Sequence, residues 1–285
     1  MKVVRDVKDR SGIIGCSQLG SLLNVSTYGT PFTVYKDYIG EGEHQFSEVQ
    51  IESMAMGNFF EDPIAQFAAK KFGVRIRRSN KAYVHKKIPQ FICHPDRLVI
   101  GKVDGLRVGF EIKHVQPFAS GWGEPDTNEV PDGYHLQSLG YIACNVCDVV
   151  WLFVMKGNRI FRYIITKDYA LIEMIESAII EFVAKVESGF EYLPNTYALV
   201  QSEYEMETPL KEVMADEMTE YFVKSHFECD GDIKKLNKKV DGFKTEIGLF
   251  MKDAELLLSE NGDKLVTFKT DKGKSKRTMR FSRRK

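Results

Sequence analysis

The sequence predicts an α/β protein whose core is a mixed β-sheet flanked by helices. Strand-like segments rich in β-branched and aromatic residues alternate with helix-like segments up to about residue 188, a pattern typical of this fold class. After Gly189 the chain changes character, and a polar connector leads into a helical region. A chain of 285 residues is long enough for one large domain and a smaller one. We therefore expect a core at residues 1–189 and an extension at residues 190–285.

The first elements are predicted to be helices. Ser17 is a suitable N-cap for a short helix, and Pro31 suits the first turn of a second helix. A third helix is predicted over about residues 47–72. Proline lacks the backbone N–H that a helix interior needs, so Pro63 predicts a bend in this helix beside Glu61.

Strands are predicted to dominate the middle of the core. The predicted strands lie near residues 74–78, 81–86, 90–100, 105–115, 148–155 and 159–166. The last two form a hairpin around Gly157-Asn158. Helices are predicted before Cys144 and, because apolar residues recur with helical periodicity, over residues 169–188.

The extension is predicted to contain two helices and a small β-hairpin. The first helix lies near residues 209–224. The second shows a heptad repeat, because its apolar positions are spaced alternately by three and four residues. These positions are Ile233, Leu236, Val240, Phe243, Ile247, Phe250, Ala254 and Leu257. An intramolecular pair with the first helix is favoured over an intermolecular coiled coil. The hairpin covers residues 264–270 and 276–282.

Charge is balanced over the chain and unbalanced at its end. Forty basic and forty acidic residues cancel, so net charge gives no indication of nucleic-acid binding. Between Lys264 and Lys285, however, ten basic residues accompany one acidic residue, Asp271. This segment is a candidate for sequence-independent phosphate binding, with a solvated tail as the alternative.

The cellular environment is predicted from apolar runs and cysteines. No apolar run has the length of a membrane span, and the first residues do not lead into a signal-peptide core. Five cysteines without framework spacing suit a reducing cytoplasm. Cys144 and Cys147 form a Cys-x-x-Cys pair, which we interpret as small buried side chains at a helix–strand junction rather than as a zinc, iron–sulfur or redox site.

The most informative segment is the predicted hairpin between Phe91 and Val115. Residues two apart in a strand point to one face, so Glu111 and Lys113 project together. A hairpin centred between residues 103 and 104 places Asp96 opposite Glu111, whereas a turn at residues 104–105 places Asp96 opposite Lys113. Either register brings two carboxylates and an ammonium group together. This combination suits metal-dependent phosphodiester cleavage, because adjacent acids repel unless a cation lies between them.

The surrounding sequence resembles a known nuclease family. Pro95-Asp96-Arg97-Leu98 followed by Gly109-Phe110-Glu111-Ile112-Lys113 resembles the PD-(D/E)xK signature. Three flanking segments, taken in order, resemble the lambda-exonuclease-like (YqaJ-type) viral recombinase family. These segments are Arg10-Ser11-Gly12 leading to Ser17, Gly57-x-x-x-Glu61, and Tyr134-x-x-Gln137. The resemblance implies a restriction-endonuclease-like core.

The resemblance also implies roles for individual residues. The expected metal ligands are Asp96, Glu111, the Ile112 backbone carbonyl and, directly or through water, Glu61. Lys113 would orient the attacking water or stabilise the developing charge on the phosphate. Gln137 would reach the metal region and contact a water or the substrate phosphate, and Tyr134 would have a supporting or packing role. Arg10 and Ser17 would bind the 5′-phosphate of a DNA end. Asp104 is the competing aspartate, but an Asp-Gly at a hairpin tip is ordinary turn chemistry.

By this resemblance the expected protein is a Mg²⁺-dependent exonuclease, with Mn²⁺ able to substitute. It would degrade the 5′ strand of linear duplex DNA and leave 3′ overhangs for recombination. The resemblance further implies a ring-shaped homotrimer and a single-strand annealing protein as partner. It also implies that the protein is encoded by a phage or prophage and acts in the cytoplasm of the bacterial host. Two alternatives stay open: a related endonuclease without end recognition, and a non-catalytic DNA-binding or assembly module.

Overall fold

The structure is a computed structural model that describes residues 3–4, 11–42, 46–79, 81–271, 273 and 275–282. Arg10, a predicted 5′-phosphate ligand, lies outside the described residues. The chain divides into two compact units, Met1–Glu205 and Met206–Lys285. The predicted boundary after residue 189 lies before the boundary at Glu205, because the connector belongs to the first unit in the structure. Glu203 in the connector forms a 3.1 Å ion pair with Lys36.

The first unit contains six helices and nine strands among the described residues. The helices are α1 (Leu19–Leu22), α2 (Pro31–Tyr38), α3 (Glu48–Lys71), α4 (Asp132–Ala143), α5 (Tyr169–Glu187) and α6 (Tyr197–Glu203), and a 3₁₀ turn, Cys16–Gln18, precedes α1. The strands are β1 (Val3–Val4), β2 (Ile14–Gly15), β3 (Ile76–Arg78), β4 (Ala82–Val84), β5 (Phe91–Cys93), β6 (Arg97–Val99), β7 (Val108–Val115), β8 (Val149–Lys156) and β9 (Arg159–Thr166).

A five-stranded mixed sheet in the order β3-β6-β7-β8-β9 forms the centre of this unit. Strands β7 and β8 are parallel, and the other neighbouring pairs are antiparallel. Side chains of one face, including Phe110 and Ile112, pack against α3. Side chains of the other face, including Val150 and Leu152, pack against α4 and α5. Because neighbouring residues of a strand face opposite sides, Glu111 and Lys113 lie on the α4 side.

A second sheet in the order β1-β4-β5-β2 carries the start of the chain to the same region. Strand β2 runs parallel to β5, with Ile14 paired to Phe91 and Gly15 to Ile92. The 3₁₀ turn that follows β2 packs against α4. This arrangement places Ser17 in the turn, whose N-cap is Gly15, so the prediction of Ser17 as an N-cap is wrong.

The predicted strand over residues 90–100 is in fact two strands in two different sheets. Strand β5 ends at Cys93, β6 begins at Arg97, and Pro95 lies between them. Proline cannot donate to a β-ladder, so the chain leaves one sheet here and enters the other. The break places Asp96 immediately before β6. The predicted helix over residues 47–72 is confirmed as α3, which includes Pro63.

In the part of the second unit that the structure describes, one long helix is followed by a three-stranded antiparallel sheet. Helix α7 (Glu217–Met251) has 35 residues, and the strands are β10 (Leu256–Leu258), β11 (Lys264–Thr270) and β12 (Arg277–Phe281). The predicted hairpin of β11 and β12 is confirmed. The predicted pair of antiparallel helices is wrong, because the segment around Gly231 remains helical. A glycine costs a helix only about 1 kcal/mol, and the flanking residues carry the helix through it.

Five of the six heptad positions within α7 are exposed among the described residues, namely Ile233, Leu236, Val240, Phe243 and Phe250. Phe243 is 65% exposed and Phe250 is 79% exposed. Among the helices that the structure describes, none combines the length and the hydrophobicity of a transmembrane segment.

Candidate active site

The hairpin of β6 and β7 places the predicted acidic residues opposite each other. Arg97 pairs with Phe110 and Leu98 pairs with Gly109. In the same register, the next two residues that lie opposite each other are Asp96 and Glu111. The tip nevertheless turns at Asp104-Gly105, with φ of 50° and 80°, and Val103 bridges Leu106.

The hairpin therefore combines the two predicted registers. Its base has the register that places Asp96 opposite Glu111, and its tip has the turn at residues 104–105. If regular pairing continued from the Val103–Leu106 bridge, Leu98 would lie opposite Glu111. In the structure Leu98 instead pairs with Gly109. The first strand thus holds two extra residues near Gly101, whose φ is 93°. Asp104 is exposed at the tip and serves the turn, as expected.

Glu111 is the buried centre of the site. Its side chain is 2% exposed, and Lys113 Nζ lies 2.6 Å from its Oε1. Gln137 Nε2 donates to the same oxygen at 2.7 Å, and the Tyr141 hydroxyl donates to Oε2. A buried carboxylate needs such donors because burial removes it from water. Three side chains from two elements therefore hold one carboxylate in place.

Asp96 is held by the backbone of β7. Its Oδ2 accepts a 2.7 Å hydrogen bond from the Ile112 N–H. The pKa of Asp96 is raised well above its usual range, mainly by burial and next by the neighbouring charge of Glu111. This repulsion between two carboxylates is what a divalent cation would relieve.

Lys113 supplies the positive charge of the site. Burial lowers the pKa of Lys113, but the charges of Glu111 and Asp96 outweigh it and the pKa is raised overall, so the ammonium is retained. Its Nζ also lies 5.1 Å from the centre of the Tyr134 ring. Tyr134 is half-buried and stacks on Trp122 with ring centres 5.5 Å apart, which is a packing contact. A supporting role for Tyr134 in catalysis stays a prediction.

Glu61 is near the site but pairs with cations rather than with the other acids. Arg97 NH1 donates to Glu61 Oε1 at 2.6 Å and to the Asp96 carbonyl at 2.7 Å. Arg97 NH2 donates to Asp62 at 2.9 Å. Among the described residues, the ligand atoms of Glu61, Asp96 and Glu111 do not all lie within 4.8 Å of one another. Arg97 thus links Glu61 to the segment that carries Asp96.

A cavity of about 250 Å³ adjoins the side chains that hydrogen-bond to Glu111. Its wall includes Ser17 and Cys16 from the 3₁₀ turn, His94, and Gln137 and Tyr141 from α4. Ser17, predicted from a segment far away in sequence, is therefore brought beside Gln137. A water molecule in liquid occupies about 30 Å³, so the cavity has room for a phosphate group.

Two site residues were not predicted, Tyr141 and Arg97. Tyr141 lies four residues after Gln137 and seven after Tyr134, so the three share one face of α4. This spacing is a signal from which Tyr141 could have been found. In the sequence, Arg97 is distinguished only as a member of the Pro-Asp-Arg-Leu motif. Its 2% exposure and its ion pairs depend on α3, which no local pattern connects to β6.

The donor set fits a hard divalent cation. Asp96 and Glu111 offer carboxylate oxygens from opposite positions of two strands. In a strand the N–H and C=O of one residue point to the same edge, so the Ile112 carbonyl faces the side on which Asp96 accepts from the Ile112 N–H. Mg²⁺ takes oxygen ligands and retains several waters, so one or two carboxylates and a carbonyl are sufficient.

The fold and the site together define a core of the PD-(D/E)xK nuclease type. A mixed sheet flanked by helices carries Asp96 on one strand boundary, and Glu111 and Lys113 on the neighbouring strand. Residues 7–148 match the family model of the YqaJ-like viral recombinase domain. This part of the chain belongs to that family.

Comparison with solved structures found exonucleases of low sequence identity. An alkaline exonuclease (LHK-Exo) from Laribacter hongkongensis is 17% identical, with 69% of this chain and 96% of that chain covered and a TM-score of 0.48. A phage-related exonuclease from Haemophilus somnus 129PT is 14% identical, with 62% of this chain and 96% of that chain covered and a TM-score of 0.44. The comparison with curated proteins found no match.

Proposed function

We propose that the protein is a Mg²⁺-dependent DNA exonuclease that acts at the 5′ ends of linear duplexes. The observation that carries this proposal is the convergence of Asp96, Glu111 and Lys113. Gln137, which donates to Glu111, also lines a cavity that Ser17 lines. Membership of residues 7–148 in the YqaJ-like viral recombinase domain family supports DNA as the substrate. Mn²⁺ is the expected substitute for Mg²⁺, since both take oxygen ligands.

The residues of the site have distinct tasks in this proposal. When bound by Asp96 and Glu111, Mg²⁺ supplies charge relief on the phosphate and a more acidic water. Lys113 holds its ammonium where it can orient that water or bind a phosphate oxygen. Gln137 and Tyr141 keep Glu111 in one orientation, so that the carboxylate does not reorganise during turnover. Glu61 joins from α3, directly or through water, once its pairing with Arg97 is relaxed.

End recognition is assigned to the cavity. Ser17 can donate its hydroxyl to a terminal phosphate, and Arg10 would add a guanidinium that donates two parallel hydrogen bonds. A phosphate held there would lie beside Gln137, which contacts Glu111. Cleavage would then start from the 5′ end and leave a 3′ single strand.

The test is digestion of linear duplexes labelled at either end, with Mg²⁺ or with EDTA. We expect loss of the 5′ label first, no digestion in EDTA, and slower digestion of ends with a 5′-hydroxyl than with a 5′-phosphate. Lys113→Ala should reduce the rate by about 10²-fold or more, the effect of removing one preorganised electrostatic group. Lys102→Ala is the matched control, because Lys102 is exposed at the tip of the same hairpin.

Two results would overturn the proposal. Nicking of closed circular DNA, with no effect of the 5′-phosphate, would identify an endonuclease without end recognition. Digestion by Lys113→Ala at the wild-type rate would remove Lys113 from the mechanism and favour a non-catalytic DNA-binding module.

The family resemblance also leads us to propose an assembly and a partner. We propose a ring-shaped homotrimer around DNA and a single-strand annealing protein that receives the 3′ strand, as expected for a phage-type recombination system. Light scattering of the purified chain would give the mass of the particle, and a monomer at all concentrations would exclude the ring.

A further inference from the structure

Three cysteines from distant segments meet in the core of the first unit. The sulfur atoms of Cys16, Cys93 and Cys144 all lie within 4.8 Å of one another, and all three residues are buried. Cys16 begins the 3₁₀ turn, Cys93 ends β5 and Cys144 is the C-cap of α4. Cys147, the other member of the Cys-x-x-Cys pair, is not part of this group. Cys147 is buried separately beside Gly109.

The backbone around these sulfurs is shaped to admit them. A Cβ at Gly140 would lie 2.5 Å from Cys16 Sγ, so only glycine leaves room for this thiol against α4. The thiol of Cys16 lies 3.4 Å from the Ile92 carbonyl, within reach of a weak hydrogen bond. The fold therefore holds the Cys16 thiol close to the other two sulfurs.

We propose that Cys16, Cys93 and Cys144 form a binding site for Zn²⁺, separate from the carboxylate site. Thiolates select thiophilic cations over Mg²⁺, and sulfurs of a tetrahedral zinc site lie within the separation seen here. A divalent ion leaves less net charge in the buried site than Cu⁺ would, because three thiolates carry three negative charges. Each thiol that becomes a ligand releases its proton to solvent.

The cavity gives this site its access and its fourth ligand. Cys16 lines the 250 Å³ cavity, so an ion can reach the sulfurs from that side and a water from the cavity completes the tetrahedron. Because Ser17 follows Cys16, the ion would also fix the position of Ser17. It would join the 3₁₀ turn, β5 and α4 at one point.

The test is titration of the reduced, metal-free full chain with Cd²⁺, a spectroscopic substitute for Zn²⁺. Thiolate-to-cadmium charge-transfer absorption should rise until one Cd²⁺ is bound per chain and should disappear when Zn²⁺ is added in excess. Cys93→Ala and Cys144→Ala should lose the absorption. Cys147→Ala, also buried, and Cys229→Ala, exposed, are matched controls that should keep it. Asp96→Asn should keep it as well, which separates this site from the carboxylates.

A measurement on the wild-type chain alone makes the result independent of how the variants fold. X-ray absorption at the zinc edge should show three sulfur neighbours at about 2.3 Å. Fewer than three sulfurs, no charge-transfer absorption in the wild type, or absorption that depends on Cys147 would each overturn the proposal.

Discussion

At the scale of single residues, the site is organised around the burial of one charge. Glu111 sits in the core because Lys113, Gln137 and Tyr141 replace the water that surrounds an exposed carboxylate. Asp96 has fewer donors and a pKa raised by burial and by Glu111, so the pair favours a bound cation. The same two carboxylates therefore destabilise the metal-free protein and equip it for metal binding, a common conflict between stability and function.

Tyr141→Phe tests whether the orientation of Glu111 matters. Burial and the charge of Glu111 raise the pKa of Tyr141 well above its usual range, so the hydroxyl keeps its proton and donates. A hydrogen bond to a charged group contributes about 1.5–3 kcal/mol, so we expect the cleavage rate to fall about 10- to 100-fold. The Mg²⁺ concentration for half-maximal activity should rise. Steady-state cleavage at several Mg²⁺ concentrations measures both quantities.

Tyr163→Phe is the matched control for this prediction. Tyr163 is also buried, and its hydroxyl donates to the Gly123 carbonyl at 3.0 Å, away from the carboxylates. Removing this neutral hydrogen bond should reduce the free energy of unfolding by about 1 kcal/mol and leave cleavage unchanged. Equal cleavage rates in Tyr141→Phe and Tyr163→Phe would show that the hydrogen bond to Glu111 has no role in catalysis.

At the scale of elements, β7 and β8 are joined by a charged clamp where both begin. Asp148 accepts hydrogen bonds from the Arg107 backbone N–H at 2.8 Å and from Arg107 NH2 at 2.7 Å. These bonds lower the pKa of Asp148 to about 2. Because β7 carries Glu111 and Lys113, this clamp fixes the end of the strand that leads into the site.

Asp148→Asn should expose the pH dependence of this clamp. The pKa of an aspartate in an unfolded chain is about 3.9. The clamp therefore stabilises the fold fully above that pH and loses its effect as the pH falls toward 2. The wild type should therefore be more stable than the variant at pH 6, and the two should converge at low pH. Urea unfolding across this range measures the difference, which will be modest because both side chains are partly exposed.

Asp104→Asn makes the same chemical change at the tip of the neighbouring hairpin. Asp104 is exposed and has a φ of 50°, a conformation that asparagine tolerates well. Its unfolding free energy should match that of the wild type at every pH. A difference between Asp148→Asn and wild type that stays constant down to pH 2 would contradict the clamp.

The elements also show how far sequence reasoning extends. Strands β7 to β9, helices α3 and α5 and the β8–β9 hairpin follow from local sequence patterns, and the structure contains them. The register of the active hairpin could be narrowed only to two alternatives, because two extra residues near Gly101 separate the register at the tip from that at Asp96. The cysteine cluster could not be predicted for a related reason. Its three segments are adjacent only after both sheets have formed.

The prediction for the long helix is wrong. The sequence predicts two helices, one near residues 209–224 and a second that carries the heptad positions, whereas α7 is continuous from Glu217 to Met251. A helix pair requires a reversal of the chain, and a single glycine without a proline or a loop does not impose one. The heptad pattern is present in the helix, but it cannot by itself distinguish partners within the chain from partners outside it.

At the scale of the whole molecule, the proposed chemistry and the basic strands belong to different units. Asp96, Glu111, Lys113, the cavity and the cysteine cluster all lie within Met1–Glu205, whereas β11 and β12 lie in Met206–Lys285. In the second unit Arg277 donates to the backbone carbonyls of Phe268, Lys252 and Ala254, so this residue holds the small sheet together. Among the described lysines of β11, β12 and the turn between them, Lys264, Lys269 and Lys276 are exposed, and Lys269 lies 3.4 Å from Glu255.

A chain that ends at Glu205 should therefore fold and cleave DNA, but bind it less tightly. Its sheets and its site are complete, so we expect Mg²⁺-dependent digestion at low salt. Removing the second unit should make the dependence of log affinity on log salt shallower by about 0.9 for every phosphate that its cations neutralise. The matched control is the full chain with glutamine at 264, 269 and 276, which keeps Arg277 and the small sheet. If both proteins bind DNA with the salt dependence of the wild type, the basic strands are a solvated surface and DNA is bound by the first unit alone.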